Sequence, residues 1–209
     1  MRVLGLDEAG RGSVLGPLVV GGFLYEGDGD EALRAAGADD SKALTPARRE
    51  RARVALGALG AWDTRAIPAD VIDGGNLNTL EEDAFVDLVR AFAPDRVLLD
   101  APVAPAGIPR LRARLVARTG VGDWVIEPKA DATYAVVGAA SIFAKTTRDA
   151  AMEAIAADIG IALGSGYPSD PLTRGWLAAR VAGGGALPAF VRTRWGTIEA
   201  LRQQALFGG

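Results

Sequence analysis

Two short apolar runs, Val3-Leu4-Gly5-Leu6 and Val97-Leu98-Leu99, each end on an aspartate, Asp7 and Asp100. Runs of that length suit strands buried on both faces, and a carboxylate at the end marks where such a strand leaves the core. Leu18 to Leu24, Trp62 to Ile67 and Trp124 to Glu127 add strand-like segments, and Gly10-Arg11-Gly12 and Gly16-Pro17 separate the first two runs. Helical signals fall between the strands. Thr45 can cap a helix with Pro46 at its first position. Thr79-Leu80-Glu81-Glu82 is a capping-box pattern, followed by Phe85, Leu88, Val89 and Phe92 at helical spacing up to Pro94. Ile108 to Arg118 and the Ala-rich stretch from Thr133 to Ile159 also read as helix, as does most of the chain after Pro171. Strands alternating with helices imply an α/β layer fold.

Asp131 follows another strand-like run, so Asp7, Asp100 and Asp131 can meet at neighbouring strand ends, where open α/β sheets place their sites. Crowded carboxylates resist ionisation unless a cation neutralises them, and an all-oxygen set suits Mg²⁺ or Mn²⁺. The chain has no cysteine and no histidine, which excludes thiol nucleophiles, Ser-His-Asp triads and the usual zinc sites. Glu8 is adjacent to Asp7, and neighbours on a regular strand point to opposite faces; both serve one site only if the strand ends or bends there. The net charge of −3 disfavours nonspecific coating of nucleic acid. Basic residues nevertheless concentrate around Lys42 to Arg53, at Lys145 and Arg148, and at Arg192 and Arg194. Such runs ordinarily mark a solvated helix face.

The segment Gly5-Leu6-Asp7-Glu8-Ala9-Gly10-Arg11-Gly12-Ser13-Val14-Leu15-Gly16-Pro17 resembles the opening signature of the ribonuclease HII family, most closely its archaeal-type branch. Asp40-Ser41-Lys42, Lys129-Ala130-Asp131, Ala139 to Asp149, Gly164 to Pro171 and Val191-Arg192-Thr193-Arg194-Trp195 extend the similarity in order and spacing. Ala43 is a departure, standing where the family often carries a second lysine.

The resemblance implies a ribonuclease H-like fold: a mixed five-stranded sheet flanked by helices, with a C-terminal helical segment closing over the substrate. The expected partition is a catalytic core over 1–160, a helical substrate-binding segment over 161–202 and a short tail over 203–209. It also implies an endoribonuclease that hydrolyses the RNA strand of RNA/DNA hybrids. Such an enzyme cuts 5′ of ribonucleotides embedded in duplex DNA, leaving 5′-phosphate and 3′-hydroxyl ends. Asp7, Glu8, Asp100 and Asp131 become the catalytic set around two divalent metals, Mg²⁺ or Mn²⁺.

By the same resemblance, Gly10, Arg11 and Gly12 with Tyr167 sense the ribonucleotide, through its 2′-hydroxyl, and the following deoxynucleotide, the tyrosine ring stacking on sugar and its hydroxyl donating a hydrogen bond. Ser41, Lys42, Lys145 and Arg148 are candidates to grip phosphates, the last two on one helix face. Ala139, Ala140 and Ala144 are assigned to close packing on the sheet. Gln203, Leu206 and Phe207 resemble the short peptides that sliding clamps accept in an apolar pocket, as an unstructured end would present them.

A ribonuclease HIII-type enzyme would carry a further N-terminal domain, for which an acidic motif at residue seven leaves no room; a resolvase-like nuclease is the other enzyme alternative. A catalytically silent nucleic-acid-binding module would lack an acid. No run of eighteen apolar residues appears, and Asp7 and Glu8 come too early for a signal-peptide core. A cytoplasmic monomer is expected.

Overall fold

The computed structural model describes residues 1–27, 29–38 and 44–207, without the side chain of Phe207; Ser41 and Lys42 lie outside the described residues. Among the described residues, β1 (Val3–Ala9), β2 (Leu18–Tyr25), β3 (Ala61–Ile67), β4 (Arg96–Asp100) and β5 (Asp123–Glu127) form one sheet in the order β3-β2-β1-β4-β5. β1 is antiparallel to β2 and parallel to β4, and β4 is parallel to β5, so the sheet is mixed. The helices are α1 (Glu31–Ala35), α2 (Pro46–Gly57), α3 (Ala69–Gly74), α4 (Leu77–Phe92), α5 (Ile108–Thr119), α6 (Ala130–Thr133), α7 (Ala135–Ile159), α8 (Pro171–Ala182) and α9 (Gly196–Phe207).

Local chemistry accounts for most boundaries. Thr45 caps α2, accepting from the Arg48 N–H, with Pro46 in the first turn as expected. α4 starts before the predicted Thr79, because the Asn76 side-chain oxygen accepts the Thr79 N–H at 3.1 Å and so caps the helix one turn earlier. The Ala-rich stretch is a single helix, α7, that starts at Ala135, two residues after the predicted Thr133. Tyr134 is extended (φ −113°, ψ 118°) between α6 and α7, and the Asp30 carboxylate receives the Ala135 N–H at the start of α7. β1 does not end at Asp7: its partner β2 continues alongside, pairing Asp7 with Gly21 and Glu8 with Val20. The expected tail from residue 203 is instead the last turn of α9, which runs through Phe207.

By internal contacts the chain groups into two compact units, both discontinuous in sequence. Unit 1 comprises 1–9, 19–65 and 81–147, and unit 2 comprises 10–18, 66–80 and 148–209. In unit 1 the glycines of the strands set how closely the helices lie on the sheet. A Cβ on Gly21 would sit 2.4 Å from the Ala140 carbonyl oxygen, and one on Gly22 would sit 3.3 Å from the Phe92 ring. Neighbouring strand positions face opposite ways, so α7 covers one face and α4 the other. Ala139, Ala140 and Ala144 are fully buried, as their assignment to close packing requires. Phe143 of α7 stacks on Phe23 at 5.7 Å and on Trp62 at 4.4 Å.

Unit 2 has its own core of Val14, Leu15, Met152, Leu163, Leu177, Val191, Ile198 and Leu201. An antiparallel bridge joins Leu15 to Val191. Asp170 caps α8, accepting from Leu172 N–H at 2.9 Å and also from Ser165 N–H at 2.7 Å. Among the described residues no helix is long and apolar enough to cross a membrane.

Candidate metal centre and substrate loop

In unit 1, pleat alternation decides which carboxylates can meet. Asp7 lies two residues beyond Gly5, and Asp100 two beyond Leu98; Gly5 and Leu98 are register partners, and a Cβ on Gly5 would touch Val136 of α7. Both aspartates therefore project to the α7 side of the sheet. Asp131 comes from α6, immediately ahead of α7. Asp7, Asp100 and Asp131 each offer a carboxylate oxygen, and these oxygens lie within 4.8 Å of one another. Glu8 is not within that set. Its backbone N–H donates to Asp7 Oδ1 at 2.8 Å. The Ala130 N–H donates to Asp100 Oδ1 at 3.1 Å, tying the entry of α6 to the end of β4.

Burial pushes the Asp7 carboxyl up to about 6. A Ser141 hydrogen bond opposes the rise, the Asp100 charge adds to it, and Lys145 and the Glu8 N–H oppose it. Ser141 is fully buried and accepts from Lys145 Nζ at 2.8 Å, one helical turn along α7. Lys145, a candidate phosphate grip, is thus linked to Asp7 through Ser141, a residue the sequence reading passed over. Its spacing from Lys145 was the available signal. Three mutually repelling carboxylates in a site this dry, with oxygen the sole donor type, fit a hard divalent cation.

The Gly10-Arg11-Gly12 loop belongs to unit 2. Gly10 has φ +85°, and a Cβ there would lie 2.2 Å from Arg148 Nε, so glycine is required twice over. Its N–H donates to the Tyr167 hydroxyl at 3.1 Å, and its carbonyl accepts from Ser13 Oγ at 2.8 Å. The structure therefore brings Gly10 and Tyr167 together. Gly12 is exposed, and Arg11 reaches Asn78.

Arg148 is only 4% exposed; it donates to the carbonyls of Leu15 and Ser165, and its guanidinium lies 5.0 Å from the Tyr167 ring centre. It braces the loop instead of facing solvent. Arg192, counted in sequence as one of a basic cluster, is fully buried, with donors to the carbonyls of Gly16 and Arg11. Arginine is ordinarily exposed, which hid this role. At the C-terminus, Gln203 donates to Glu199 within α9 and Leu206 is 77% exposed.

The mixed sheet, with Asp7 and Asp100 on adjacent strands and Asp131 on α6, is a ribonuclease H-like fold, as the structural relatives below bear out. The sequence pattern described as Ribonuclease HII matches residues 4–198, and the chain belongs to that family, hydrolases of RNA in RNA/DNA hybrids. It is 40% identical to a ribonuclease HII of Methanobrevibacter smithii, with 97% of this chain and 99% of the relative aligned. The crystal structure of ribonuclease H2 from Pyrococcus horikoshii is similar with a TM-score of 0.87 and 36% identity, over 99% of this chain and 100% of that one. The ribonuclease HII of Archaeoglobus fulgidus, solved as a complex with PCNA, gives a TM-score of 0.84 and 34% identity over 93% and 95% of the two chains. Bst-RNase HIII, solved with Mn²⁺, shares the fold at a TM-score of 0.79 and 20% identity, over 98% of this chain and 70% of that one.

Proposed function

We propose that this protein cuts on the 5′ side of ribonucleotides embedded in duplex DNA, as well as within RNA/DNA hybrids, and that Asp7, Glu8, Asp100 and Asp131 hold two Mg²⁺ or Mn²⁺ ions for the reaction. The observation that carries this reading is the convergence within 4.8 Å of three aspartate oxygens, from Asp7 on β1, Asp100 at the end of β4 and Asp131 on α6. When bound, a divalent pair supplies activation of the attacking water and stabilisation of the leaving 3′-oxygen. The chain's own residues hold and orient. Ser141 and the Glu8 N–H fix the Asp7 carboxylate, and the Ala130 N–H fixes that of Asp100. Gly10, Arg11, Gly12 and Tyr167 read the 2′-hydroxyl; the Tyr167 hydroxyl, already accepting from Gly10, keeps its own proton to donate. Ser41, Lys42 and Lys145 serve phosphate, while Arg148 supports the loop.

The test is a labelled DNA duplex containing one ribonucleotide, incubated with Mg²⁺ or Mn²⁺ beside an all-DNA control and the Asp100→Asn variant. A cut 5′ of the ribonucleotide is expected from the wild type alone, disappearing in chelator and in the variant. Cleavage of long hybrids with none at a single ribonucleotide would overturn the embedded-site reading.

We further propose that Gln203, Leu206 and Phe207 dock a sliding clamp. The similarity to the Archaeoglobus fulgidus protein seen with PCNA supports this, as does a Leu206 side chain left 77% exposed on α9. Leu206→Ala with Phe207→Ala should lower clamp affinity at least ~10-fold in a titration, each lost apolar anchor costing about 1–3 kcal/mol. Unchanged affinity would end the proposal.

A further inference from the structure

We propose that Arg192 is a positioning residue for ribonucleotide recognition, aiming the Gly12 amide outward by holding the opposite end of the peptide that joins Arg11 to Gly12. This rests on the loop's reading of the 2′-hydroxyl given above and adds to it a side chain remote in sequence.

Arg192 is among the largest fully buried side chains of the protein. Burying a guanidinium costs heavily unless its donors are satisfied. Desolvation pulls its pKa down to about 10, with the Arg148 charge adding to the fall. Its hydrogen bonds go to backbone: Nε and Nη2 donate to the Gly16 carbonyl at 3.1 Å each, and Nη1 donates to the Arg11 carbonyl at 3.0 Å. The Trp195 ring centre lies 5.0 Å from the guanidinium and limits its freedom on that side. The side chain therefore clamps the loop at two carbonyls five residues apart.

The consequence follows from peptide geometry. The bond between Arg11 and Gly12 is trans and planar, so its C=O and N–H point in opposite directions. With the Arg11 carbonyl turned in to the buried Arg192, the Gly12 N–H is turned away from it, and Gly12 is exposed. The preceding peptide is fixed likewise, since the Gly10 carbonyl accepts from both the N–H and the hydroxyl of Ser13. An outward N–H is a pure donor. It matches the acceptor lone pairs of a ribose 2′-hydroxyl and finds no counterpart on deoxyribose. A mobile peptide would have to be ordered on binding, and its preference for ribose would fall accordingly.

The experiment measures equilibrium binding in chelator, so that nothing is cut, to two otherwise identical duplexes, one with a single ribonucleotide and one all DNA. Arg192→Lys keeps the charge but cannot reach both carbonyls as a fork does. Its Kd for the ribonucleotide duplex is expected to rise about 10-fold, the scale of one oriented hydrogen bond, with the Kd for DNA unchanged. Equal weakening on both duplexes, or no change on either, would overturn the proposal. Should the variant not fold, the wild-type Gly12 amide provides the same test by NMR: its resonance should shift more with the ribonucleotide duplex than with DNA, and equal shifts would refute the assignment. A wild type that binds the two duplexes equally would bring down the reading of the loop itself, which is visible before any variant is made.

Discussion

Replacing Asp7 with asparagine is expected to abolish cleavage and, with metal withheld, to make the protein more stable. The two effects share one cause. Asp7 is 5% exposed, and burial holds its carboxyl at about 6 against an ordinary 3.8. Between those values the native state keeps a proton that the unfolded chain has released. Stability of the metal-free protein therefore falls as pH rises from about 4 to about 6 and is level above, the total being roughly 3 kcal/mol at about 1.4 kcal/mol per pH unit.

Asparagine has nearly the same shape and no charge, so Asp7→Asn avoids that cost. At pH 7.5 in chelator its melting temperature should exceed the wild type's by several degrees, and at pH 4 the gap should close. Added Mg²⁺ or Mn²⁺ should reverse the order by stabilising the wild type alone. Cleavage should fall by more than the ~10- to 100-fold that loss of a mere supporting partner of a metal ligand costs. A metal-free variant no more stable than the wild type at pH 7.5 would show that Asp7 is not under electrostatic strain, and retained cleavage would remove it from the site.

Gly5→Ala should cost at least ~3 kcal/mol of stability, near the upper end of what overpacking produces. The added methyl would lie 2.2 Å from the carbonyl oxygen of Val136, 2.4 Å from its carbonyl carbon and 2.7 Å from the Val137 nitrogen. All three are backbone atoms, so no side chain can turn aside. Relief requires α7 to lift from β1, and α7 carries Ser141 and Lys145, which hold Asp7; cleavage should fall along with stability. Gly175→Ala is the control. Gly175 lies inside α8 with nothing within 4 Å of the new methyl, so alanine should add about 0.5–1 kcal/mol there. Urea denaturation of both variants checks the pair, and a Gly5→Ala midpoint close to the wild type's would mean that the sheet and α7 are not locked at this distance.

The parts legible in the sequence are those set by local rules. β4 is readable because an apolar run of strand length ends on Asp100 before Ala101-Pro102, and α4 because Phe85, Leu88, Val89 and Phe92 recur at helical spacing. The convergence of Asp7, Asp100 and Asp131 was readable too, since each follows a strand-like run. What was not readable depends on distant partners. β1 continues past Asp7 alongside its partner β2, and the carboxylate oxygens that lie within 4.8 Å of one another come from the three aspartates. The exact start of α7 at Ala135 is marked by no glycine or proline; Asp30, over a hundred residues away, receives that amide. Arg148 and Arg192 look like surface charge in a string of letters, and their burial rests on carbonyls of the Leu15 and Gly16 region that only the fold delivers.

The bond from Arg192 to the Gly16 carbonyl closes a loop of 176 residues. During synthesis the ribosome delivers every residue of the three-aspartate centre, and the Ser141 and Lys145 that support it, well before it delivers Arg192. Contacts of such separation form late, because chain closure must be met before they contribute. A nascent chain can thus gather its acidic centre while the Gly10-Arg11-Gly12 loop still lacks its clamp. On the proposed role of Arg192, selectivity for ribose would be the last property this protein acquires as it is made, and an incomplete chain would have it least.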